Sequence, residues 1–203
     1  MQHAIRLLAL LWRTGEPAGA PGDPPQAVRA IRSERRLQAL DFWLRNPDYL
    51  ADELLTEVEA GRLDRSFVEV ASSLLSDPEP SLRHYPMPRW LFGAYEPLDD
   101  AFAHLEVYGL AIMRRTPGGH RNQFFLLTDG VAAGNDLAAA PSVLAWYPRQ
   151  IELVLRVAGN QSGSQLKVRQ YQQAAYAGTE LGTSIAPIAN RVRQRLVTAR
   201  RAS

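Results

Sequence analysis

The stretch between residues 97 and 137 constrains the fold most strongly, because its hydrophobic period changes from helical to alternating and back again. Pro97 stands at the first position of a predicted helix, where proline is favoured, and Gly109 ends that helix. Residues 110–115 then alternate in hydrophobicity as a half-buried strand does. The stretch therefore predicts a helix that is followed directly by a strand.

A hairpin and a second helix complete this stretch. Residues 117–119 are Pro-Gly-Gly and predict a turn, and the aromatic-rich residues 122–127 predict the returning strand. Thr128 is placed to cap the next helix, with Asp129 in its first turn. A helix, a glycine stop, a hairpin and a capped helix in this order are typical of a winged helix. The alternative interpretation is an isolated hairpin between two helices.

Helices are also predicted on both sides of this module, from apolar residues at helical spacing. Asp48 and Asp64 are placed to cap two of them, and Pro148 is expected to kink or break another. The sequence thus predicts a mainly α fold with a small β-hairpin, that is, a winged-helix domain with helical N- and C-terminal segments. The predicted regions are 1–90 (N-terminal helical), 91–140 (winged-helix core) and 141–203 (C-terminal helical). The predicted outer helices are residues 3–13, 27–45, 48–60, 64–75, 142–157 (with residue 141 as the alternative start), 165–177 and 185–198.

The charge is distributed in three blocks, although the net charge is only +2. Residues 1–40 carry +3, residues 41–110 carry −9 and residues 111–203 carry +8. Such polarity bears on partners more than on the fold. Either one surface avoids nucleic acid while another approaches it, or both surfaces meet charged faces of proteins. The alternative is simple variation along a solvated chain.

Composition and motifs exclude several classes of chemistry. The absence of cysteine excludes disulfides, thiol nucleophiles and cysteine-ligated zinc. The four histidines are scattered, and the lone lysine, Lys167, lacks the spacing of a phosphate-binding loop. We therefore expect no catalytic residue, no metal and no cofactor. Without a membrane-length apolar run or an export signal, we expect a cytoplasmic protein with no membrane partner.

The helix that would read DNA in a winged helix is acidic here. Asp99, Asp100 and Glu106 lie on it, and residues 97–113 contain no arginine or lysine. Carboxylates facing a polyanion are unfavourable, so this helix is a candidate for docking a protein partner instead.

Two basic groups remain as candidates for contacts with a DNA backbone or an acidic partner. The first comprises Arg114, Arg115 and Arg121, near the tip of the hairpin. The second comprises Arg191 and Arg195, which share a face of the last helix at i, i+4 spacing. A charged terminal helix that is merely solvated is the alternative for the second group.

Three strings carry a family resemblance: residues 40–50 (LDFWLRNPDYL), residues 90–96 (WLFGAYE) and residues 127–130 (LTDG). Together they resemble the small middle component of three-component ABC-ATPase conflict systems, the group that includes Lamassu-type prokaryotic defence. The resemblance covers roughly residues 35–135. It adds Asp41, Trp43 and Tyr95, which lie in these strings, to the candidate partner-docking residues.

This resemblance implies a non-catalytic adaptor in a hetero-oligomer. Such subunits sit on an SMC-like or Rad50-like ATPase and link it to an effector, often a nuclease, in defence against phage or plasmids. Contact with DNA is then expected only through the complex and without sequence preference. A winged-helix DNA-binding transcriptional regulator is the alternative function.

Overall fold

The computed structural model describes residues 1–76, 87–91, 93–116, 121–140 and 144–201. Within these residues the protein is mainly helical with a small antiparallel sheet, which confirms the predicted class. The predicted turn at residues 117–119, His120 and the predicted helix start at residue 142 lie outside the described residues. The helices are α1 (Gln2–Thr14), α2 (Glu34–Arg45), α3 (Pro47–Glu59), α4 (Phe67–Leu74), α5 (Asp99–Val107), α6 (Thr128–Ala139), α7 (Trp146–Ala158), α8 (Gly163–Tyr171), α9 (Ala174–Gly178) and α10 (Ala189–Arg201). The strands are β1 (Glu16–Pro17), β2 (Ala27–Ile31), β3 (Arg89–Trp90), β4 (Gly93–Ala94), β5 (Ala111–Arg115) and β6 (Asn122–Leu127).

The main sheet has four strands in the order β1-β2-β6-β5, so the prediction of a hairpin alone was incomplete. The predicted hairpin is β5 and β6, and β2 pairs antiparallel with β6 so that Ile31 lies opposite Phe124. The predicted helix over residues 27–45 was wrong in its first part, because residues 27–31 form β2. The helix α2 begins only after Ser33, whose side chain accepts a hydrogen bond from the Arg36 N–H.

The helix α5 begins at Asp99, two residues later than the predicted start at Pro97. Gly109 ends it at a φ of 64°, a left-handed conformation that confirms the predicted glycine stop. Leu110, which follows Gly109, lies against Gly130 of α6. A Cβ at position 130 would lie only 2.0 Å from the Leu110 carbonyl oxygen. Glycine at position 130 therefore allows α6 to pack on the loop between α5 and β5.

Two acids do not cap helices in the predicted way. The helix α3 begins at Pro47, and Asp48 inside its first turn accepts a hydrogen bond from the Ile188 N–H in the segment before α10. Asp64 accepts from the Ser66 N–H, and α4 begins only at Phe67. The Asp48 carboxylate thus links α3 to the segment that precedes α10.

The C-terminal helices also differ from the predicted ones. Pro148 lies in the first turn of α7, where a missing N–H costs no intrahelical hydrogen bond, so it neither kinks nor breaks the helix. The predicted helix over residues 165–177 is divided into α8 and α9, and α8 begins with a capping box formed by Ser162 and Gln165. The last helix begins at Ala189 rather than at residue 185.

One hydrophobic core joins elements from all three predicted regions. Leu7, Leu10 and Leu11 of α1 are fully buried, and α1 packs against α2, α5, α6 and α7. Phe102 of α5 stacks on Phe124 of β6 with ring centroids 4.9 Å apart. The predicted boundaries after residues 90 and 140 therefore do not separate independent cores. No helix among the described residues is both long and apolar enough to cross a membrane.

Candidate functional site

The exposed face of α5 combines acidic and large apolar side chains. Asp99 and Asp100 are exposed in its first turn, where the positive end of the helix dipole favours carboxylates. At the other end, Val107 is 82% exposed and Tyr108 is 67% exposed. Exposed apolar side chains of this size beside charges are typical of protein-interaction surfaces. We call these four residues the α5 face.

Glu106 differs from the other acids because it also holds the sheet edge. Its Oε1 accepts a hydrogen bond from the Met113 N–H (2.9 Å) and lies 3.6 Å from the Arg114 guanidinium. The strand β5 is an edge strand, and an unpaired outward N–H would invite pairing with another chain. Glu106 therefore ties α5 to β5, in addition to its predicted role as a docking residue.

Two other candidate docking residues are not at the surface. Asp41 and Trp43 are fully buried in α2, so neither can contact a partner in this conformation. This corrects their assignment to the docking set, because the string that contains them forms part of the core. Tyr95 is half-buried and lines a groove that is described below.

Asp41 is instead the centre of a charged cluster that fixes the start of α5. Arg6 Nε of α1 donates to Asp41 Oδ1 (2.6 Å), and Arg45 Nη1 lies 3.6 Å from Asp41 Oδ2. Arg45 also forms an ion pair with Glu96, which precedes α5, and His3 Nδ1 lies 3.6 Å from Glu96 Oε1. The cluster thus connects α1 and α2 to the segment that leads into α5.

The electrostatics of Asp41 favour its ionised form. Burial alone would raise the pKa of this carboxyl, but the charges of Arg6, Arg45 and His3 and the hydrogen bond from Arg6 outweigh burial and lower it. The chemistry available here is therefore that of a buried ion-pair network, with an ionised carboxylate between two guanidinium groups.

The structure brings together three residues that could hold a metal ion, which the sequence spacing did not indicate. His3, Asp41 and Glu96 each offer one possible ligand atom, and these three atoms lie within 4.8 Å of one another. However, the guanidinium groups of Arg6 and Arg45 already contact the two carboxylates and would repel a divalent cation. These contacts favour the ion-pair interpretation of the cluster over a metal site.

The two predicted basic groups have different surroundings. Arg114, Arg115 and Arg121 are exposed on β5 and next to β6, at the end of the sheet where the Thr116 N–H donates to the Arg121 carbonyl. Arg195 is partly buried and engaged by the protein itself, because it binds Asp52 of α3 (2.6 Å) and Glu59 (2.7 Å).

Arg191 lies 3.9 Å from Asp52 and is about half exposed. Arg195 therefore attaches α10 to α3, which corrects its assignment to a partner surface. Arg191 keeps an exposed guanidinium on the same helix.

A groove of about 760 Å³ lies between the start of α2, the β3–β4 ribbon and the end of β5–β6. Its walls carry three arginines and one acid, together with exposed apolar side chains that the sequence analysis did not single out. The lining residues are Arg32, Ser33, Glu34, Arg35, Gln38, Trp90, Leu91, Ala94, Tyr95, Arg121 and Ser164. Only Tyr95 and Arg121 of this set were candidates from the sequence, because the groove joins segments that are far apart in the chain.

The aromatic wall of this groove is held firmly. Arg89 Nε donates to the Tyr171 hydroxyl (3.3 Å) and its guanidinium lies over the Tyr171 ring, while Lys167 Nζ donates to the Leu91 carbonyl (2.9 Å). The Tyr176 hydroxyl accepts a hydrogen bond from the Ala94 N–H. Trp90 and Leu91 are therefore displayed on a short ribbon that α8 and α9 anchor.

Comparisons of the chain with protein-family models, with curated proteins and with solved structures give no match.

Proposed function

We propose that this chain is a non-catalytic winged-helix adaptor, and that the α5 face docks it onto an ATPase partner. The observation that carries the proposal is the exposed combination of Asp99, Asp100, Val107 and Tyr108 on the helix before the wing. The proposal assigns no catalytic residue, metal or cofactor to the chain.

The sheet order supports the winged-helix part of this proposal. The strand β2 follows α1 and pairs with β6, and β6 pairs with β5 of the hairpin. The helix α5 directly precedes this hairpin, which is the position of the helix that reads DNA in winged-helix proteins. In this interpretation α3 and α4 are an insertion between the second helix and the helix before the wing.

The chemistry of the α5 face favours a protein partner over duplex DNA. Two exposed carboxylates at the start of the helix would repel the phosphate backbone, whereas Val107 and Tyr108 offer apolar area that duplex DNA does not bury. A partner surface with basic residues around an apolar centre complements this face. Such an arrangement gives both orientation and affinity, since opposite charges steer the encounter and apolar contacts stabilise the complex.

The family resemblance of the sequence supplies the identity of the proposed partners. They are an SMC-like or Rad50-like ABC ATPase and an effector, often a nuclease, which act in the cytoplasm against phage or plasmids. The protein is then one subunit of a hetero-oligomer, and any contact with DNA in that complex is without sequence preference.

Co-purification with the products of the neighbouring genes tests this proposal. We expect the wild-type protein to elute with the ATPase in size-exclusion chromatography, and Val107→Ser combined with Tyr108→Ser to elute alone. Val168→Ser on α8 is the matched control, because this valine is similarly exposed but lies on another element, so the complex should persist.

A second pair of variants tests the charges of the α5 face. Asp99→Lys should weaken the complex, and Asp136→Lys on α6, an equally exposed acid, should leave it intact. Elution of the wild-type protein as a free monomer beside the ATPase would overturn the proposal.

The alternative function is a winged-helix transcriptional regulator, which the exposed Arg114, Arg115 and Arg121 of the hairpin favour. This function requires sequence-selective and salt-sensitive binding to a duplex promoter. A mobility-shift assay with the promoter of its own gene and a scrambled duplex distinguishes the two. Binding of equal strength to both duplexes would eliminate the regulator.

A further inference from the structure

We propose that the groove between α2 and the β3–β4 ribbon binds a segment of single-stranded nucleic acid, with one or two bases against Trp90 and the adjacent phosphates on arginines. This goes beyond the proposed docking function and does not depend on it, because the groove and the α5 face share no residue. The two surfaces also differ in charge, since the α5 face is acidic and the groove carries three arginines.

The first support is the position of the cations. Arg35 and Arg121 are both exposed at the groove, on α2 and beside β6 respectively. Arg32 makes two hydrogen bonds of 2.7 Å to Asp23 and lies over the Phe125 ring, so its main role is to build the wall. Because their side chains are exposed at the groove, we assign Arg35 and Arg121 to phosphate groups.

Glu34 is the one acid among the lining residues, and it is engaged by the protein. Asn122 Nδ2 donates to its carboxylate (3.0 Å), and the carboxyl is half-buried. Burial raises its pKa, and the nearby charge of Asp99 acts in the same direction. Glu34 therefore forms part of the groove wall, with its carboxylate bound by Asn122.

The second support is an exposed aromatic side chain on an anchored ribbon. Trp90 is 46% exposed and Leu91 is 68% exposed on the ribbon, which Arg89 and Lys167 hold from behind. Stacking of a base on an aromatic ring tolerates any base, because every base has a π-face. A ribbon backbone that is held before binding loses little conformational entropy when the base arrives.

The extent of the basic surface favours a strand over a free nucleotide or a duplex. Beyond the groove, Arg115 is exposed on β5 next to Thr116, whose N–H donates to the Arg121 carbonyl. A further cation next to this end of the groove suits a backbone longer than one nucleotide. Stacking on Trp90 needs an unstacked base, which a duplex does not offer.

Fluorescence anisotropy of a labelled oligothymidylate of about twelve nucleotides, titrated with the full chain, tests this proposal. We expect saturable, salt-dependent binding. Arg35→Gln combined with Arg121→Gln should weaken it about tenfold or more and should reduce the slope of log K against log salt by roughly 1.4, as for two lost phosphate contacts. Arg193→Gln is the matched control, since this exposed arginine of α10 hydrogen-bonds to Asn190 and lies outside the groove.

A second set of variants tests the stacking contact. Trp90→Ala should weaken binding about tenfold, whereas Trp90→Phe, which keeps a ring, should retain most of it. Val197→Ala, at an apolar side chain of comparable exposure on α10, should change nothing. Circular dichroism of each variant verifies that the fold is kept.

Three outcomes would overturn the proposal. The first is no saturable binding of the oligothymidylate, and the second is equal binding by wild type and both groove variants. The third is competition by ATP or by a polyglutamate peptide with an affinity above that of the oligonucleotide, which would assign the groove to a free nucleotide or to an acidic protein segment. If the α5 variants lose ATPase co-elution but still bind the oligonucleotide, that result concerns the α5 face and supports a separate binding site in the groove.

Discussion

Replacement of Asp41 by alanine removes the centre of the buried charged cluster. Asp41 is fully buried, and Arg6 and Arg45, which are almost fully buried themselves, contact its two oxygens. Removing one partner of a buried ion pair costs about 3–5 kcal/mol, since the remaining charge is left in a poorly solvated site. Arg45 keeps Glu96 in the variant, but Arg6 loses the carboxylate to which its Nε donates. We therefore expect the free energy of unfolding to fall by about 3–5 kcal/mol.

Urea unfolding followed by circular dichroism measures this loss. The midpoint should shift while the m-value stays constant, and the melting temperature should fall by about 6–20 °C for a domain of this size. Asp136→Ala removes an exposed acid of α6 and should change the stability by no more than about 0.5 kcal/mol. A loss below about 1 kcal/mol for Asp41→Ala would refute the reasoning that this network is buried and paired.

The same residue makes a pH-dependent contribution whose sign follows from its lowered pKa. A carboxyl with a folded-state pKa below its unfolded value contributes stability that is fully present above the unfolded value of about 3.9. That contribution is lost as the pH falls through the lower, folded-state pKa. The difference in stability between wild type and Asp41→Asn should therefore be constant near neutral pH and shrink in acid. A difference that grows on acidification would contradict the assignment.

Three further substitutions probe packing and the sheet edge. Gly130→Ala should destabilise the protein by about 1–3 kcal/mol in thermal unfolding, because its Cβ would collide with the Leu110 carbonyl, while Gly178→Ala, where a Cβ meets nothing within 4 Å, serves as control. Trp43→Ala should cost about 3–5 kcal/mol in urea unfolding, since this fully buried ring would leave a cavity. Glu106→Ala frees the β5 edge and should increase concentration-dependent self-association in light scattering, and an unchanged profile would contradict the role of Glu106 as an edge cover.

Local chain geometry explains which elements the sequence predicted well. Gly109 ends α5 with a positive φ of 64°, a conformation that depends on the residue itself and hardly on the rest of the fold. The hairpin strands β5 and β6 were likewise predicted from alternation within a few residues. Features of this kind need no knowledge of distant parts of the chain.

Long-range pairing explains the elements that the sequence did not predict. Residues 27–31 continue a helix-like apolar pattern, yet they form β2 because the β6 edge offers them hydrogen-bond partners, with Ala30 opposite Phe125. The spacing of apolar residues within 27–31 cannot reveal pairing with β6, because β6 lies far along the chain. The groove has the same origin, because Arg35, Trp90 and Arg121 come from three separate segments.

The charged residues show most clearly what the sequence determines and what the tertiary structure determines. The sequence by itself places acids on the helix before the hairpin and arginines on the hairpin and the last helix. Only the tertiary structure decides which of these charges remain available: the partly buried Arg195 is paired with Asp52, whereas Asp99 stays exposed. The physical reason is that the free energy of a charge depends on its desolvation and its partners, and both are fixed by long-range packing rather than by neighbours in the chain.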